Sequence, residues 1–191
     1  MKKATAADRS LVINMLTKCF NGNLSVNYII KQDQHRVERI RSLIEYSIDV
    51  CSRFGEVVLS DDNKSCALIL YPHLKRNTVK SILLDLKLIL YAIGITGIVK
   101  TMKRETLVKN LQHKQPMLYI WFIGVDTLHQ HQGIGSSLLA EIILKAESKN
   151  LPIYLETSTL ENLPWYRRMG FEVYDQLKLS YILFFLKLDN K

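Results

Sequence analysis

The sequence predicts a single α/β domain built around a mixed β-sheet, and three observations lead to that expectation. The second half of the chain shows strand and helix patterns in the order strand, helix, strand, helix, strand, strand. One of these strands, residues 117–125, is apolar almost throughout, which is typical of a central strand buried on both faces. The length of 191 residues suits one domain over residues 1–191, with a helical insertion at 77–115.

The first half of the chain predicts a short strand, two helices and a hairpin. Asp8 is placed to cap the first helix, and Gly22 follows its end, where a left-handed residue commonly ends a helix. The acidic and polar residues 61–64 form a turn between two apolar runs. The predicted elements are a strand at 2–4, helices at 8–20 and 34–53, and strands at 56–60 and 65–71.

The rest of the chain continues with the inserted helices and then the alternating elements. The insertion is helical in pattern and is interrupted near Gly94 and Gly97, so we expect two helices there. Pro152 follows the helix after the central strand, and Gly170 ends the next helix. These later elements are helices at 135–149 and 161–169 and strands at 117–125, 153–156, 171–174 and 179–188.

Residues 81–99 form the segment that most resembles a membrane span. Asp85 and Lys87 interrupt its first half, and the uncharged remainder, 88–99, has only twelve residues. A spanning helix needs about 20 apolar residues. We therefore expect a buried or groove-lining helix and no membrane span.

The overall charge and the cysteines narrow the function only slightly. The chain has 26 Lys and Arg against 18 Asp and Glu, a formal net charge of +8, which suits a polyanionic partner or simply a solvated basic surface. The basic second helix lacks interleaved aromatic residues, so no nucleic-acid partner is expected. Three widely spaced cysteines without a CxxC pair indicate reduced, buried thiols. No apolar run follows the N-terminal lysines, which predicts a cytoplasmic location.

The turn at residues 130–135 is a candidate phosphate site. It joins the central strand to a helix, whose first turn offers unpaired N–H groups and the positive end of the helix dipole. Gly133 and Gly135 lack a Cβ, so the backbone can approach a phosphate closely. The segment is neither a Walker A loop nor a GxGxxG fingerprint, and an ordinary helix start remains an alternative for it.

A second motif follows in residues 151–171, LPIYLETSTLENLPWYRRMGF, and together the two resemble the GNAT N-acetyltransferases. Strong resemblance covers residues 119–174, and it is closest to the branch that includes puromycin N-acetyltransferase. The first 110 residues match the family only in layout. The cofactor motif Q/R-x-x-G-x-G/A is matched by Gln130, Gly133 and Gly135, and the motif Asn…Tyr-x-x-x-Gly-Phe by Asn162, Tyr166, Gly170 and Phe171.

The resemblance implies a fold, a co-substrate and a set of binding residues. The fold would be a GNAT fold, with a twisted, mixed, mostly antiparallel sheet of about six to seven strands flanked by helices. Acetyl-CoA would lie with its pantetheine arm along a bulged, splayed strand and its pyrophosphate on the backbone N–H groups of the glycine turn. The implied cofactor-binding residues are Ile123, Gly124, Val125, Gln130, His131, Gln132, Gly133, Ile134, Gly135, Ser136, Asn162 and Tyr166.

Tyr166 and Glu156 are the expected catalytic residues. By the resemblance, Tyr166 faces the sulfur, where a phenol can protonate the leaving thiolate or stabilise its charge. Glu156 ends a predicted strand and is the best candidate for the base that deprotonates the amine. It is equally compatible with anchoring a cationic substrate or pairing with Arg167 or Arg168. Some relatives carry a glutamate on the preceding strand, but residues 119–125 contain no acid.

The expected activity is transfer of an acetyl group from acetyl-CoA to a primary amine of a small molecule, by direct attack in a ternary complex. A non-catalytic acyl-CoA sensor on the same fold is the alternative, because fold does not fix function. His129 and His131 stand two residues apart without a third ligand nearby, so no metal is expected. Met102, Tyr91 and Ile95 are candidates for the acceptor groove, and a monomer or a homodimer is expected.

Overall fold

A computed structural model of the chain describes residues 1–76 and 78–190. Asn77, the first residue of the predicted insertion, and Lys191, the last residue of the predicted domain, lie outside the described residues. The strands are β1 (Lys2–Lys3), β2 (Gly55–Leu59), β3 (Ser65–Leu70), β4 (Leu118–Val125), β5 (Ile153–Thr157), β6 (Glu172–Lys178) and β7 (Ile182–Leu188). The α-helices are α1 (Arg9–Cys19), α2 (Leu24–Ile29), α3 (Arg36–Phe54), α4 (Val79–Leu88), α5 (Ile98–Leu111), α6 (Ile134–Ser148) and α7 (Leu163–Arg168).

The described strands form one seven-stranded sheet in the order β1-β2-β3-β4-β5-β7-β6. Of its described pairings, only β4 with β5 is parallel, and the others are antiparallel. The helix α6 connects the parallel pair, as a crossover between parallel strands requires. The predicted fold class, a mixed and mostly antiparallel sheet flanked by helices, is confirmed.

Helices cover both faces of the sheet, and alternate residues of the central strands enter two different cores. Leu68 of β3 packs with Leu16 and Ile44, which belong to α1 and α3. The next residue, Ile69, packs on the opposite face with α6 and α7. Side chains alternate between the faces of a strand, so a strand covered on both faces is apolar at every position. β3 is buried along its whole length for this reason.

The N-terminal helical segment begins earlier than predicted. Residues Ala6–Asp8 form a 3₁₀ turn that runs into α1, and Thr5 precedes it in an extended conformation. Asp8 does not cap α1 with its side chain. Its carboxylate instead accepts hydrogen bonds from the Thr5 N–H at 2.8 Å and the Thr5 hydroxyl at 2.7 Å. The acid therefore closes a capping box one turn upstream of the predicted position.

Two further elements differ from their predicted form. The short helix α2 was not predicted, although Asn23 caps it by accepting a hydrogen bond from the Val26 N–H at 3.0 Å. Strand β6 extends to Lys178, beyond its predicted end at residue 174. β6 lies at the edge of the sheet, and one of its faces is exposed. The residues beyond the predicted end, 175–178, are mostly polar, which is compatible with a strand at the edge of a sheet.

The inserted region contains two helices joined by a sharp bend. A π-helical turn, Ile89–Ile93, extends α4, and Gly94 follows with a φ of 73°, a left-handed value that favours glycine. α5 then runs away at an angle of about 101°. No single helix among the described residues is long and apolar enough to cross a membrane, whereas the bent pair passes that test by length and composition only.

The arginines on the basic face of α3 hold neighbouring loops in place. Arg36 donates to the side-chain oxygen of Asn27 at 2.8 Å. Arg39 donates to both carboxylate oxygens of Asp33, at 2.8 and 2.7 Å. This two-point contact lowers the pKa of Asp33 below its ordinary value. These arginines therefore stabilise the segment between α2 and α3.

Gly55, at the junction of α3 and β2, tests how tightly the sheet is packed. A Cβ added there would lie 2.0 Å from the backbone oxygen of Ile69. We expect Gly55→Ala to lower the free energy of unfolding by about 3 kcal/mol, because a backbone atom of a central strand cannot move aside. Urea unfolding measures the effect. The matched control is Gly22→Ala, where the added Cβ meets nothing within 4 Å. Equal losses in the two variants would contradict this packing.

Candidate active site

β4 and β5 separate after a short parallel pairing. Their register covers only Leu118 with Ile153, Tyr119 with Tyr154, and Ile120 with Leu155. A bulge lies beside the point of separation, since Leu68 and Ile69 of β3 face Phe122 and Ile120 and leave Trp121 as the extra residue. The bulge bends β4 away from β5, so a wedge-shaped opening forms between the two strands.

The second half of β4 presents to this opening backbone groups that have no partner on β5. The Asp126 N–H donates to the Lys64 carbonyl at 2.8 Å, which makes that pair a hydrogen-bonded one. Hydrogen-bonded and non-hydrogen-bonded pairs alternate along antiparallel strands. The backbone groups of Val125 and Ile123 therefore point toward β5, whereas those of Gly124 point toward β3. Strand pairing with an extended ligand would thus use mainly Ile123 and Val125.

The carbonyl of Val125 already has partners inside the protein. It accepts a hydrogen bond from the Cys19 thiol, with Sγ at 3.0 Å, and one from the Gln130 amide at 3.3 Å. Burial raises the pKa of Cys19 to about 11, so the thiol stays protonated and can donate. Gln130, predicted to contact the cofactor, thus ties the glycine turn to the end of β4.

The glycine turn leaves a row of backbone donors free. His131 and Gly133 adopt positive φ angles of 61° and 81°, and Gly133 is the residue that precedes α6. Among the described residues, none of the N–H groups at positions 130–136 donates a hydrogen bond within the protein. Together with the positive end of the α6 dipole, these donors form an anion-binding surface.

Ser136 connects the glycine turn to the second motif. Its hydroxyl accepts a hydrogen bond from the indole N–H of Trp165 at 2.9 Å. A Cβ on Gly135 would lie 3.2 Å from Val125 and 3.7 Å from Trp165, so the start of α6 packs closely against both. The two motifs are thereby fixed relative to each other across the opening between β4 and β5.

Tyr166 and Asn162 line a cavity of about 590 Å³ that begins at this opening. Tyr166 is 4% exposed, and its ring packs on Trp165 and Phe171 at centroid distances of 4.6 and 5.7 Å. The structure shows no hydrogen bond between its hydroxyl and any described residue, and Tyr166 borders the cavity. Burial raises the pKa of Tyr166 well above its ordinary value, so the phenol is neutral at physiological pH.

Glu156 lines the same cavity from the end of β5. Its Oε1 accepts a hydrogen bond from the Gln112 amide at 2.7 Å, and its Oε2 accepts one from the Tyr119 hydroxyl at 2.8 Å. Burial raises the pKa of Glu156 despite these two hydrogen bonds, which favour its ionised form. The carboxylate is therefore bound by neutral donors and not by Arg167 or Arg168, so the predicted alternative of a structural ion pair with either arginine is wrong.

The partners of Glu156 could not be identified from the sequence. Tyr119 lies on β4 and is 9% exposed, and Gln112 follows the inserted helix α5. Neither residue belongs to a motif. Only the parallel register of β4 and β5, which places Tyr119 beside Tyr154, two residues before Glu156, brings the phenol and the carboxylate together. Both donors hold the carboxylate in one orientation within the cavity.

The far end of the cavity is built by α2 and the inserted helices. Apolar side chains from these helices, Ile29, Leu88, Ile93, Ile98 and Met102, form much of its wall. Met102 was predicted to line the groove and does so. Tyr91 and Ile95 are not among the residues that line the cavity, and their side chains are 63% and 77% exposed. The insertion therefore closes the cavity on the side opposite the glycine turn.

A buried cation also borders the cavity. Arg104 is 6% exposed and donates to Glu105 at 2.5 Å, to Ser25 at 2.7 Å and to the Tyr181 hydroxyl at 3.1 Å. All three of its guanidinium nitrogens are thus engaged, and the group joins α5 to α2 and to the residue that precedes β7. In residues 1–76 and 78–190 no group of three or more His, Cys, Asp or Glu side chains could hold a metal ion.

Comparison with known proteins identifies a family over the part of the chain that carries these features. A family model described as an acetyltransferase (GNAT) domain matches residues 88–173. An uncharacterized N-acetyltransferase of Schizosaccharomyces pombe is 40% identical over 58 residues. That segment covers 30% of this chain and only 23% of the yeast protein, so the two are similar over a small part of their lengths.

Solved structures share the fold along the whole chain. A "histone acetyltransferase HPA2 and related acetyltransferase" from Corynebacterium glutamicum has a TM-score of 0.69 at 18% identity, covering 100% of this chain and 95% of its own. Arylalkylamine N-acetyltransferase 2 from Aedes aegypti has a TM-score of 0.65 at 14% identity, covering 100% and 98%. At these identities the likeness concerns the fold alone.

Proposed function

Because this chain belongs to the GNAT acetyltransferase superfamily, we propose that it is an N-acetyltransferase that moves the acetyl group of acetyl-CoA to a primary amine of a small molecule. One observation carries the proposal: Tyr166 and Glu156 line a single cavity that begins where β4 and β5 separate. A donor for a leaving sulfur and an acceptor for an amine proton thus face the same space. The non-catalytic alternative leaves this pairing without a role and is not favoured.

In the proposed complex, acetyl-CoA enters from the side of the glycine turn. The pyrophosphate lies on the free N–H groups of residues 130–136, at the start of α6. The pantetheine arm runs along the outward backbone groups of Ile123 and Val125 and contacts Asn162, whose side chain lines the cavity. This path directs the thioester toward Tyr166.

The acceptor amine would occupy the other end of the cavity. Its volume of about 590 Å³ lies within the range of about 300–1,000 Å³ that is typical of small-molecule sites. The mainly apolar walls suit a carbon skeleton, and Glu156 suits a nitrogen that arrives protonated. A small amine therefore fits this cavity better than a protein surface does.

The proposed reaction is a direct transfer. The ammonium group first loses one proton to solvent, and the neutral nitrogen then attacks the thioester carbon. Glu156 accepts the second proton, which the nitrogen releases as the C–N bond forms, and the C–S bond breaks as CoA leaves as a thiolate. A thiol of ordinary pKa, about 8.5, is more acidic than a phenol of pKa about 10, and burial widens this gap. Tyr166 therefore stabilises the developing charge on sulfur by donating a hydrogen bond, and the thiolate takes its proton later from solvent.

Detection of free CoA tests the proposal directly. The purified protein is incubated with acetyl-CoA and a panel of primary amines, and a thiol reagent follows the release. We expect release that depends on both the protein and the amine, and calorimetric binding of acetyl-CoA without any amine. If no acyl-CoA binds in the calorimeter, the proposal fails.

Ser136 provides a separate test of the cofactor site. An aspartate at this position would keep an acceptor for Trp165 and would favour the start of α6 through the helix dipole, but it would repel a pyrophosphate. We expect Ser136→Asp to weaken acetyl-CoA binding about tenfold or more, which corresponds to about 1.4 kcal/mol, without lowering the melting temperature.

The matched control is Ser148→Asp, which places the same charge at the other end of α6. It should leave the dissociation constant for acetyl-CoA unchanged within about twofold, because the charge lies more than a Debye length of about 8 Å from the turn. An equal loss of binding in both variants would mean that net charge, and not the turn, controls affinity.

A further inference from the structure

The outer face of α4 carries an apolar stripe that no part of the described structure covers. Its members are Val79, Ile82, Leu83, Leu86 and Leu90, and each is at least 50% exposed. They recur at spacings of three and four residues, so they form a stripe about 100° wide along one face of the helix. The opposite face holds Leu84 and Leu88, which pack into the core. α4 is therefore apolar on both its buried and its exposed side.

The stripe continues across the bend onto α5 as one surface. Of the seventeen large apolar side chains exposed in the described residues, nine lie between residues 79 and 102. Beyond α4 these are Tyr91, Ile95, Val99 and Met102, and each is at least 63% exposed. Met102 also borders the cavity. Singly exposed apolar side chains are common on proteins, but a contiguous cluster of this kind marks a binding surface. We call these nine side chains the apolar surface.

Positive charge surrounds the apolar surface. Residues 75–103 contain six Lys and Arg and one acid, Asp85. Lys75, Arg76, Lys87, Lys100 and Lys103 are exposed. The Asp85 carboxylate accepts a hydrogen bond from the Tyr46 hydroxyl at 2.7 Å, on the side of α4 that faces α3. Exposed apolar side chains flanked by lysines are typical of helices that lie in the interface of an anionic membrane.

We infer that α4 and α5 dock this protein on an anionic lipid surface, with the apolar surface in the interface and the lysines against the headgroups. Charge favours lipid over a second copy of the chain. In a two-fold dimer through this face, the apolar surface and its lysine rim would meet the same lysine rim, and like charges would oppose association. An anionic bilayer supplies the complementary charge and an apolar layer at once.

The contacts on the inner sides of α4 and α5 indicate that these helices lie on a membrane surface and do not span the membrane. Leu88, Ile93 and Ile98 line the cavity, and α4 packs on α3. Inserting the bent pair through a bilayer would expose these contacts and open the cavity. Docking on the surface leaves the fold intact, so it is compatible with the proposed function but does not depend on it.

Flotation with lipid vesicles tests the inference on the full chain. Vesicles of phosphatidylcholine with phosphatidylserine are expected to carry the protein upward in the gradient, and vesicles of phosphatidylcholine alone or high salt should weaken binding. We expect the double variant Ile82→Glu with Leu86→Glu to lower the partition coefficient about tenfold or more. Neither side chain lines the cavity, so thiol release by this variant in solution should match that of the wild type.

Two further variants separate the contribution of the apolar surface and its lysines from the general effect of an added negative charge. Leu144→Glu changes an apolar side chain of 65% exposure on α6, far from the apolar surface, and should float like the wild type. Lys87→Glu with Lys103→Glu leaves the apolar side chains in place and should also lower binding about tenfold or more.

The inference is overturned if the wild type does not float with anionic vesicles, or if Leu144→Glu loses as much binding as the Ile82 and Leu86 variant. Light scattering that shows a dimer broken by the Ile82 and Leu86 changes would also overturn it, in favour of a second copy.

Discussion

Replacing Tyr166 with phenylalanine is expected to lower kcat about a hundredfold and to change the KM for acetyl-CoA little. The variant removes a single hydroxyl, for which the structure shows no hydrogen bond among the described residues, from a residue that lines the cavity. A donor of this kind acts on charge that develops only as the C–S bond breaks, so its loss affects the transition state and not the bound substrate. Removal of one such donor costs about a hundredfold to a thousandfold in rate.

The phenylalanine variant should fold like the wild type. The ring keeps its contacts with Trp165 and Phe171, and no internal hydrogen bond is lost. The matched control is Tyr71→Phe, which removes a buried phenol that does not line the cavity and that donates to Glu56 at 2.8 Å. Steady-state thiol release should show a large loss of kcat for Tyr166→Phe and nearly full activity for Tyr71→Phe.

The pH dependence separates hydrogen-bond donation from full proton transfer by Tyr166. Burial keeps the pKa of Tyr166 well above its ordinary value, so the phenol does not titrate across the usual assay range. We therefore expect the fold loss in Tyr166→Phe to be constant with pH. A loss that disappears as the pH rises toward 10 would show that the phenol acts as a proton donor to the thiolate, and an unchanged kcat would remove Tyr166 from the reaction.

Local patterns were sufficient to predict the parts of the site that a single segment forms. The turn at residues 130–136 and the helix that carries Tyr166 each lie within one short stretch, where glycine position and helix start determine the geometry. The central strand was equally clear, since burial on both faces leaves its residues almost uniformly apolar. α2 was missed because six residues are too few for a helical period to stand out.

Features that depend on how distant segments meet were not predicted. The hydrogen bonds of Glu156 come from Tyr119 and Gln112, which are 37 and 44 residues away in the chain. The exposed face of the inserted helices also could not be predicted from the sequence. An apolar composition indicated that its helices are buried or line a groove, but it could not show that α4 also exposes Ile82 and Leu86 on its outer face. Composition gives the number of apolar residues, whereas packing decides which of them reach solvent.

Glu156→Gln is expected to lower kcat/KM about a hundredfold at neutral pH. The glutamine keeps the size of the side chain and one acceptor for Tyr119 or Gln112, but it cannot accept the proton of the amine. General-base catalysis contributes about a hundredfold to ten-thousandfold in enzymes. Glu147→Gln, the same change at an exposed position of α6, should have full activity.

The pH profile of the wild type follows from the environment of Glu156. Burial raises its pKa above the ordinary value of 4.5, and only the ionised form can act as a base. Activity should therefore fall as the pH decreases through this raised pKa, and Glu156→Gln should lose this acidic limb. The sign for stability is opposite. The folded state binds the proton more tightly than the unfolded chain, so the contribution of Glu156 to stability is present below pH 4.5 and is lost as the pH rises through the raised pKa.

The change in kcat and the acidic limb of the pH profile together distinguish a base from a substrate anchor. An anchor binds the cationic amine in the ground state, so its loss would raise the KM for the amine and leave kcat nearly unchanged. A base acts on the reacting proton, so its loss lowers kcat itself and removes the acidic limb. The stability profile serves as an internal control, because Glu156→Gln must lose the dependence of unfolding on this carboxyl group in either case. A variant whose kcat and acidic limb both persist would exclude Glu156 as the base and would leave it as an anchor for the amine.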